Sequence, residues 1–273
     1  MQGELPAAQA GTVRLGDREV YRLGLGTNRL TDTESGRALL HRAVALGVNF
    51  IDTADIYQST ASETAIGHTF GEGAPGVVIA TKGGMTRTPG GRGVDGHPEY
   101  LTRAVEDSLR RLRADRIELY QLHRVDPEVP IEASVGALKE LQQAGKIRRI
   151  GLSNVSVEEI ERAQRVVPIV SVQNRYNLLE REQEEVLAYC EAHSIVFIPW
   201  MPISRGNLAA ARTLVETADR YHVSPHQLAL SWLLKRSPIL LPIPGTVSIA
   251  HLEENLAAAR IPLSDADFER LGR

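Results

Sequence analysis

Asp52, Tyr57, Lys82 and His123 are the residues of this 273-residue chain whose types and positions suit proton chemistry. The stretch Gly47-Val48-Asn49-Phe50-Ile51-Asp52-Thr53-Ala54-Asp55-Ile56-Tyr57 reads as a helix stop, a short apolar strand, and carboxylates and a phenol delivered where the strand runs out. Asp52 follows the apolar pair Phe50 and Ile51, so it is expected to be buried and to need a cation, because a lone buried charge is costly. Lys82 can be that cation. A carbonyl that accepts a hydride develops alkoxide character and needs a proton, or a strong hydrogen bond, at its oxygen. A phenol with an ordinary pKa of about 10 is a poor acid at neutral pH unless a positive charge eases its ionisation. Tyr57 would then give the proton, Lys82 the positive charge, Asp52 the hold on Lys82, and His123 a ring N–H aimed at the carbonyl oxygen. Ser153, Asn154 and Gln173 carry the donors and acceptors that a nicotinamide carboxamide requires, and Trp200 offers a flat face for its ring.

Taken singly, each of these residues also has a purely structural reading. Asp52 with Lys82 reads as a buried ion pair, His123 as a hydrogen-bonded core imidazole, and Trp200 as packing. What argues for a site is that every one of them falls at the end of a predicted strand. Thr12 to Val20 reads as a hairpin around Gly16-Asp17, and Arg22 to Thr27 as a first strand. A unit then repeats. Thr31 and Glu34 form an expected capping box for a helix with Leu39, Ala43 and Leu46 that Gly47 closes. The strand through Asp52 and a short helix, Glu63 to Phe70, come next. Strand Val77 to Thr81 ends at Lys82, and a glycine-rich loop, Gly83 to Gly96, is expected to be mobile. A helix with Leu101, Ala104, Val105, Ser108, Leu109 and Leu112 on one face follows. Strand Ile117 to Leu122 ends at His123, and a helix runs from Pro130 to Gly145. Strand Ile147 to Leu152 ends at Ser153-Asn154, and Ser156 with Glu159 caps the next helix. Strand Ile169 to Val172 ends at Gln173, helix Glu180 to His193 follows, and strand Ile195 to Pro199 ends at Trp200. An inserted helix near Leu208 to Tyr221, a helix Pro225 to Leu234, a last strand Ile239 to Ile243 and a helix Ile249 to Ala258 complete the pattern.

Eight strand–helix units with nearly continuous apolar strands indicate a parallel sheet covered by helices. In about 250 residues they fit a closed (β/α)8 TIM barrel with an N-terminal β-hairpin and extra helices, whose catalytic groups come from the C-terminal strand ends. The rival is an open doubly wound sheet, which usually carries a glycine fingerprint after its first strand; Gly24-Leu25-Gly26-Thr27-Asn28-Arg29 lacks the third glycine. A single domain over residues 1–273 is expected.

Composition sets limits on partners. A formal charge of −3, from 31 basic and 34 acidic residues, gives no reason to expect nucleic acid or an anionic membrane. The one cysteine, Cys190, excludes an intramolecular disulfide framework and a cysteine-based metal cluster. His222 and His226 are four apart, but Pro225 lies between them and no glutamate follows His222, so no metal site is expected. No apolar run reaches the ~20 residues of a membrane span, and the N-terminus lacks a signal-peptide pattern, so a cytoplasmic location is expected.

The quoted strand-end residues, together with Ser62-Glu63, Thr81-Lys82, Gln121-Leu122-His123, Gly151-Leu152-Ser153-Asn154, Gln173-Asn174-Arg175-Tyr176-Asn177 and Glu254-Asn255, resemble the aldo-keto reductase family from about Arg22 to Ala259. The resemblance implies a (β/α)8 fold and reversible NADPH-dependent carbonyl reduction. It implies a catalytic tetrad of Asp52, Tyr57, Lys82 and His123, with Ser153, Asn154 and Gln173 on the carboxamide and Trp200 stacked on the nicotinamide. Glu254 and Asn255 match the family's adenine contacts, and Gly26, Thr27, Gly206, Gly245, Thr246, Ser248 and His251 are carried as further cofactor-binding candidates. Many members read the 2′-phosphate with a lysine after the last strand and an arginine one turn before Glu-Asn; here Gly245 and His251 stand there. Thr246 and Ser248 near a helix N-terminus favour an anion, and NADPH is expected over NADH, with NADH the alternative.

The partner is expected to be a small-molecule carbonyl substrate, and the chain a monomer. Specificity should come from the loops Gly83 to Gly96, Arg124 to Pro130 and Met201 to Leu208, where Arg87, Arg92, Arg124 and Arg205 would either favour an anionic substrate or lie solvated. Pyridoxal is one candidate. Two rivals of other classes are a Schiff-base aldolase or lyase using Lys82 as nucleophile, and a non-catalytic NADP-binding subunit.

Overall fold

A computed structural model of the chain describes residues 5–71, 75–88, 90–203 and 211–272. Gly206 and Arg205, and the start of the inserted helix expected at Leu208, lie outside the described residues. Strands β1 (Thr12–Leu15) and β2 (Arg18–Tyr21) pair antiparallel as the expected hairpin. Then come β3 (Leu25–Gly26), α1 (Glu34–Ala45), β4 (Phe50–Asp52), α2 (Ala61–Phe70), β5 (Val78–Gly83), β6 (Met85–Thr88), β7 (Gly91–Val94), α3 (Pro98–Leu112) and β8 (Leu119–Leu122). The second half holds α4 (Ile131–Gln143), β9 (Ile150–Ser153), α5 (Val157–Gln164), β10 (Ser171–Gln173), α6 (Glu184–Ala192), β11 (Val196–Phe197), α7 (Arg212–Tyr221), α8 (Pro225–Arg236), α9 (Ile249–Ala257) and α10 (Asp265–Leu271).

Seven strands form one parallel sheet in the order β3-β4-β5-β8-β9-β10-β11. Residues 239–245 join its two edges. On one side Phe197 N donates to Ile239 O (3.1 Å) and Leu241 N to Phe197 O (2.9 Å); on the other Gly24 N donates to Pro242 O (3.0 Å) and Gly26 N to Pro244 O (3.4 Å). Pro242 and Pro244 have no N–H to return, so this eighth stave is held to β3 by bonds running one way. The expected strand Ile239 to Ile243 is present as isolated bridges, Phe197 to Leu240 and Gly26 to Gly245, and the prolines account for the missing ladder on the β3 side. The closure also removes the open-sheet alternative. A Cβ on Gly26 would stand 2.6 Å from Ile243 O, so glycine is what lets the seam close.

Two cores follow from the two faces of the staves. Phe50, Val78, Ala80, Leu119, Val196, Ile198, Leu241 and Ile243 fill the barrel interior, where Val13, Leu15 and Val20 of the hairpin pack against them. A larger cluster lies between the sheet and the helices. Inward positions alternate along each strand, so Phe50 is followed by Asp52, Val78 and Ala80 by Lys82, and Leu119 by Gln121 and His123. The interior is apolar where the strands begin and polar where they end. With the hairpin on the apolar end, the polar mouth is the face left for chemistry.

Two local expectations are corrected. The N-cap of α1 is Thr33, whose Oγ1 accepts from Gly36 N at 3.2 Å, and not Thr31; Glu34 is already the first helical residue. The stretch Gly83 to Gly96 is no irregular loop but contains the β6–β7 hairpin, with Arg87 opposite Arg92.

Candidate active site

The side chains that meet at the mouth come from three adjacent strands, β4, β5 and β8. Lys82 Nζ donates to Asp52 Oδ2 at 2.7 Å, to Thr53 O at 2.7 Å and to the Tyr57 hydroxyl at 3.3 Å, and its side chain is 0% exposed. Asp52 Oδ1 accepts from Gln173 Nε2 at 2.8 Å and Gln121 Nε2 at 3.4 Å. The carboxylate is thus met by an ammonium and two amides, which supplies the pairing its burial demands. The Tyr57 and His123 rings lie edge to face, 5.9 Å between centroids and 84° between planes.

The charges of these groups follow from burial and neighbours. Burial works against the Lys82 ammonium, but Asp52 and Tyr57 outweigh it and raise its pKa above the ordinary lysine value, so it stays cationic. Burial raises the Tyr57 phenol above the ordinary tyrosine value, with the Lys82 charge pulling the other way. The phenol therefore holds its proton, which a donor needs, although the lysine alone would have shifted it downward. Burial, then the charges of Lys82, Arg124 and Arg92, drive His123 well below its ordinary value, so the imidazole is neutral. Its Nδ1 is buried without a partner among the described residues.

The backbone that presents Tyr57 is unusual. Gln58, Ser59 and Thr60 have φ of 47°, 53° and 75°, a left-handed turn without a glycine, where each such residue costs about 1–2 kcal/mol. Gln58 Nε2 donates to Asn28 O at 3.0 Å and ties the turn to the loop after β3. Behind it, Ser62 Oγ donates to Thr27 O at 3.0 Å, and Glu63 accepts from Thr81 Oγ1 at 2.5 Å and Arg111 Nε at 2.6 Å. Ser62 and Glu63 thus brace the Tyr57 turn against β3, β5 and α3.

A cleft of about 820 Å³ opens at this mouth. Tyr57, His123 and Asp52 line it, as do Gly26, Thr27, Ser153, Asn154, Gln173 and Trp200, and further along Gly245, Thr246, His251, Glu254 and Asn255. Lys82 lies beneath it. Ser248 is not on its wall; it caps α9, its Oγ accepting from His251 N at 3.4 Å. Gln173 leaves its Oε1 without a protein donor among the described residues, ready for an amide N–H. Asn154 is committed: Nδ2 donates to His123 O (3.0 Å) and Ser153 Oγ (3.0 Å), while Oδ1 accepts from Trp200 Nε1 (3.1 Å). The Arg175 guanidinium sits 5.7 Å from the centre of the Trp200 ring. A free amide carbonyl, an indole face, two glycine backbones and the N-terminal turn of α9 in one cleft fit a dinucleotide. Gln173 meets Asp52 behind Tyr57, whereas Glu254 lies on α9 against Ser224 at the start of α8.

Among the residues given no role from the sequence, Arg29 and His226 line the cleft and Gln121 is buried behind it against Asp52. Gln121 sits two before His123 and therefore shares its inward face, a signal that period two could have supplied. His226 is in the first turn of α8, and the first turns of barrel helices border the mouth. Arg29 donates to Gly245 O at 3.0 Å, bringing a cation from the β3–α1 loop to the place where lysine is absent; no local pattern marks it.

The sequence profile of the aldo/keto reductase family matches residues 22–273. An oxidoreductase of Schizosaccharomyces pombe described as uncharacterized is 44% identical, over 97% of this chain and 90% of that protein. Pyridoxine 4-dehydrogenase of Escherichia coli is 35% identical over 94% of this chain and 95% of that one. The crystal structure of an aldo-keto reductase from Klebsiella pneumoniae in complex with NADPH superposes with a TM-score of 0.83 at 30% identity, covering 95% of this chain and 93% of the other.

Proposed function

The chain belongs to the aldo/keto reductase family, and on that premise we propose how its own residues carry the reaction. The protein is an NADPH-dependent oxidoreductase that reduces an aldehyde or ketone to the alcohol, reversibly. NADPH, when bound, would supply the hydride for the carbonyl carbon. Tyr57 gives its proton to the carbonyl oxygen as negative charge develops there. Lys82, 3.3 Å away, stabilises the phenolate left behind, and Asp52 keeps Lys82 charged and aimed. Neutral His123 orients the oxygen. Gln173, Ser153 and Asn154 take the carboxamide side, and Trp200 the ring. Glu254 and Asn255 would hold the adenine, and Arg29, Thr246 and His251 would serve a phosphate.

The observation that carries this reading is the buried chain Asp52–Lys82–Tyr57 ending beside a neutral His123 at the mouth of the cleft. The same chain argues against a Schiff-base lyase, because a cationic Lys82 wholly enclosed by three acceptors is no nucleophile. It argues equally against a non-catalytic subunit, which has no use for a complete proton-donor set. The reading is tested by offering aldehydes and ketones with NADPH and following loss of the reduced-nicotinamide absorbance. Pyridoxal is the first to try, given the likeness to pyridoxine 4-dehydrogenase. Titrating both cofactors by quenching of tryptophan fluorescence is expected to give tighter NADPH binding than NADH. Among the described residues no helix is long and apolar enough to cross a membrane. A single domain, a cytoplasmic location and a monomeric state complete the proposal.

A further inference from the structure

Beside Tyr57 and His123 the cleft wall changes character. Arg87 and Arg92 reach it from the β6–β7 hairpin, and Arg124 from just past β8, where it also borders a second cleft shared with Asn154 and Arg175. Arg87 and Arg92 are directly opposed across the hairpin, an arrangement that like charges make unfavourable in isolation. Among the described residues no carboxylate lies within 4 Å of any of the three guanidinia. Arg87 has one bond, from Nη2 to Ile56 O at 3.1 Å, and the other two make no side-chain hydrogen bond there. The wall's carboxylates do not balance them: Asp52 is neutralised by Lys82, and Glu254 is on α9, accepting from Ser224 Oγ at 2.5 Å. The field of Arg124 and Arg92 is felt at His123, which both push toward the neutral form.

All three are exposed at the rim of the cleft, where unpaired guanidinia bind planar or tetrahedral anions with paired N–H donors. We infer that the carbonyl substrate of this enzyme carries an anionic group, a carboxylate or a phosphate, which Arg92 and Arg124, helped by Arg87, hold while the carbonyl faces Tyr57 and His123. The inference rests on the reading of Tyr57 as the proton donor and adds to it the class of substrate. Binding energy from that remote anion is available to position the reacting carbonyl.

The test compares matched pairs in the intact enzyme with NADPH: 4-oxobutanoate against butanal for a carboxylate, and glyceraldehyde 3-phosphate against glyceraldehyde for a phosphate. The expected result is a kcat/KM at least about tenfold higher for the charged member of one pair, shrinking as salt screens the arginines; the pair with the larger ratio identifies the anion. Arg92→Gln and Arg124→Gln should each lower that ratio by about fivefold or more, with Arg→Lys recovering part of it. Neutral members reduced as well as charged ones would overturn the inference and leave carbonyl reduction standing. A ratio unmoved by both substitutions would overturn the assignment to these arginines. No turnover of any aldehyde would remove the proposed function, and this inference with it.

Discussion

Lys82 Nζ donates to the Tyr57 hydroxyl across 3.3 Å while Asp52 holds the same ammonium from its other side at 2.7 Å. The lysine is spent on three neighbours: Asp52 and the Thr53 carbonyl fix it, and Tyr57 is the one it serves. Because Asp52 and Lys82 are both buried, the pair is as much a stability device as a catalytic one.

Replacing Asp52 by Asn leaves that ammonium buried with no counter-charge. The expected cost is about 3–5 kcal/mol, read as a lower urea midpoint with an unchanged slope. Adding Lys82→Met should recover at least half of it, since the unpaired charge is what costs. A double variant no more stable than Asp52→Asn alone would contradict this account of the pair.

Asp55 gives a pH signature. Burial, then the charge of Glu63, pushes its carboxyl up to about 7, against 3.8 for a free aspartate. The native state therefore keeps a proton that the unfolded chain releases between those two values. Stability contributed here falls as pH rises through that window and is fully lost above about pH 7, by up to about 4 kcal/mol. Asp55→Asn is expected to raise Tm at pH 8 and to change it little at pH 4. An equal change at both pH values would refute the burial argument.

The left-handed turn after Tyr57 should yield to glycine. Gln58 sits at φ 47°, a conformation that costs a side chain about 1–2 kcal/mol and glycine almost nothing. Gln58→Gly gives up the bond to Asn28 O, so the net gain expected is about 0.5–1 kcal/mol in urea unfolding. Destabilisation would mean that the side chain, and not the backbone, decides this turn.

Much of this was legible beforehand because the barrel writes its plan in period two. Asp52 after Phe50, Lys82 after Ala80 and His123 after Leu119 each continue an inward-facing row, so burial, face and end of strand followed from local pattern. The eighth stave was legible as an apolar run, but not its one-way seam, which depends on Pro242 and Pro244 meeting Gly24 and Gly26 from the far end of the chain. The β6–β7 hairpin was hidden because glycine, proline and arginine in Gly83 to Gly96 carry no alternating apolar face. The turn at Gln58 was invisible for a different reason: its residues disfavour the conformation that tertiary contacts impose. Arg29 beside Gly245 is a contact across 216 positions, beyond the reach of any local pattern.

His123 offers a check on the charge state of the site. Held neutral by burial and by the charges of Lys82, Arg124 and Arg92, it should keep its neutral form well below pH 6.5, so the reduction rate should show no loss from imidazole protonation as pH falls through that value. Arg92→Gln should move protonation of the His123 imidazole to higher pH. An imidazole found protonated at pH 7 by NMR would contradict the geometry of the site.

The most direct measurement is kcat for carbonyl reduction by Tyr57→Phe, with NADPH affinity measured alongside. The account predicts a fall of about 10²–10⁴ in kcat, with NADPH bound as tightly as before. Reduction at the unaltered rate would contradict the role given to Tyr57 and, with it, the purpose of the Asp52–Lys82 pair behind it.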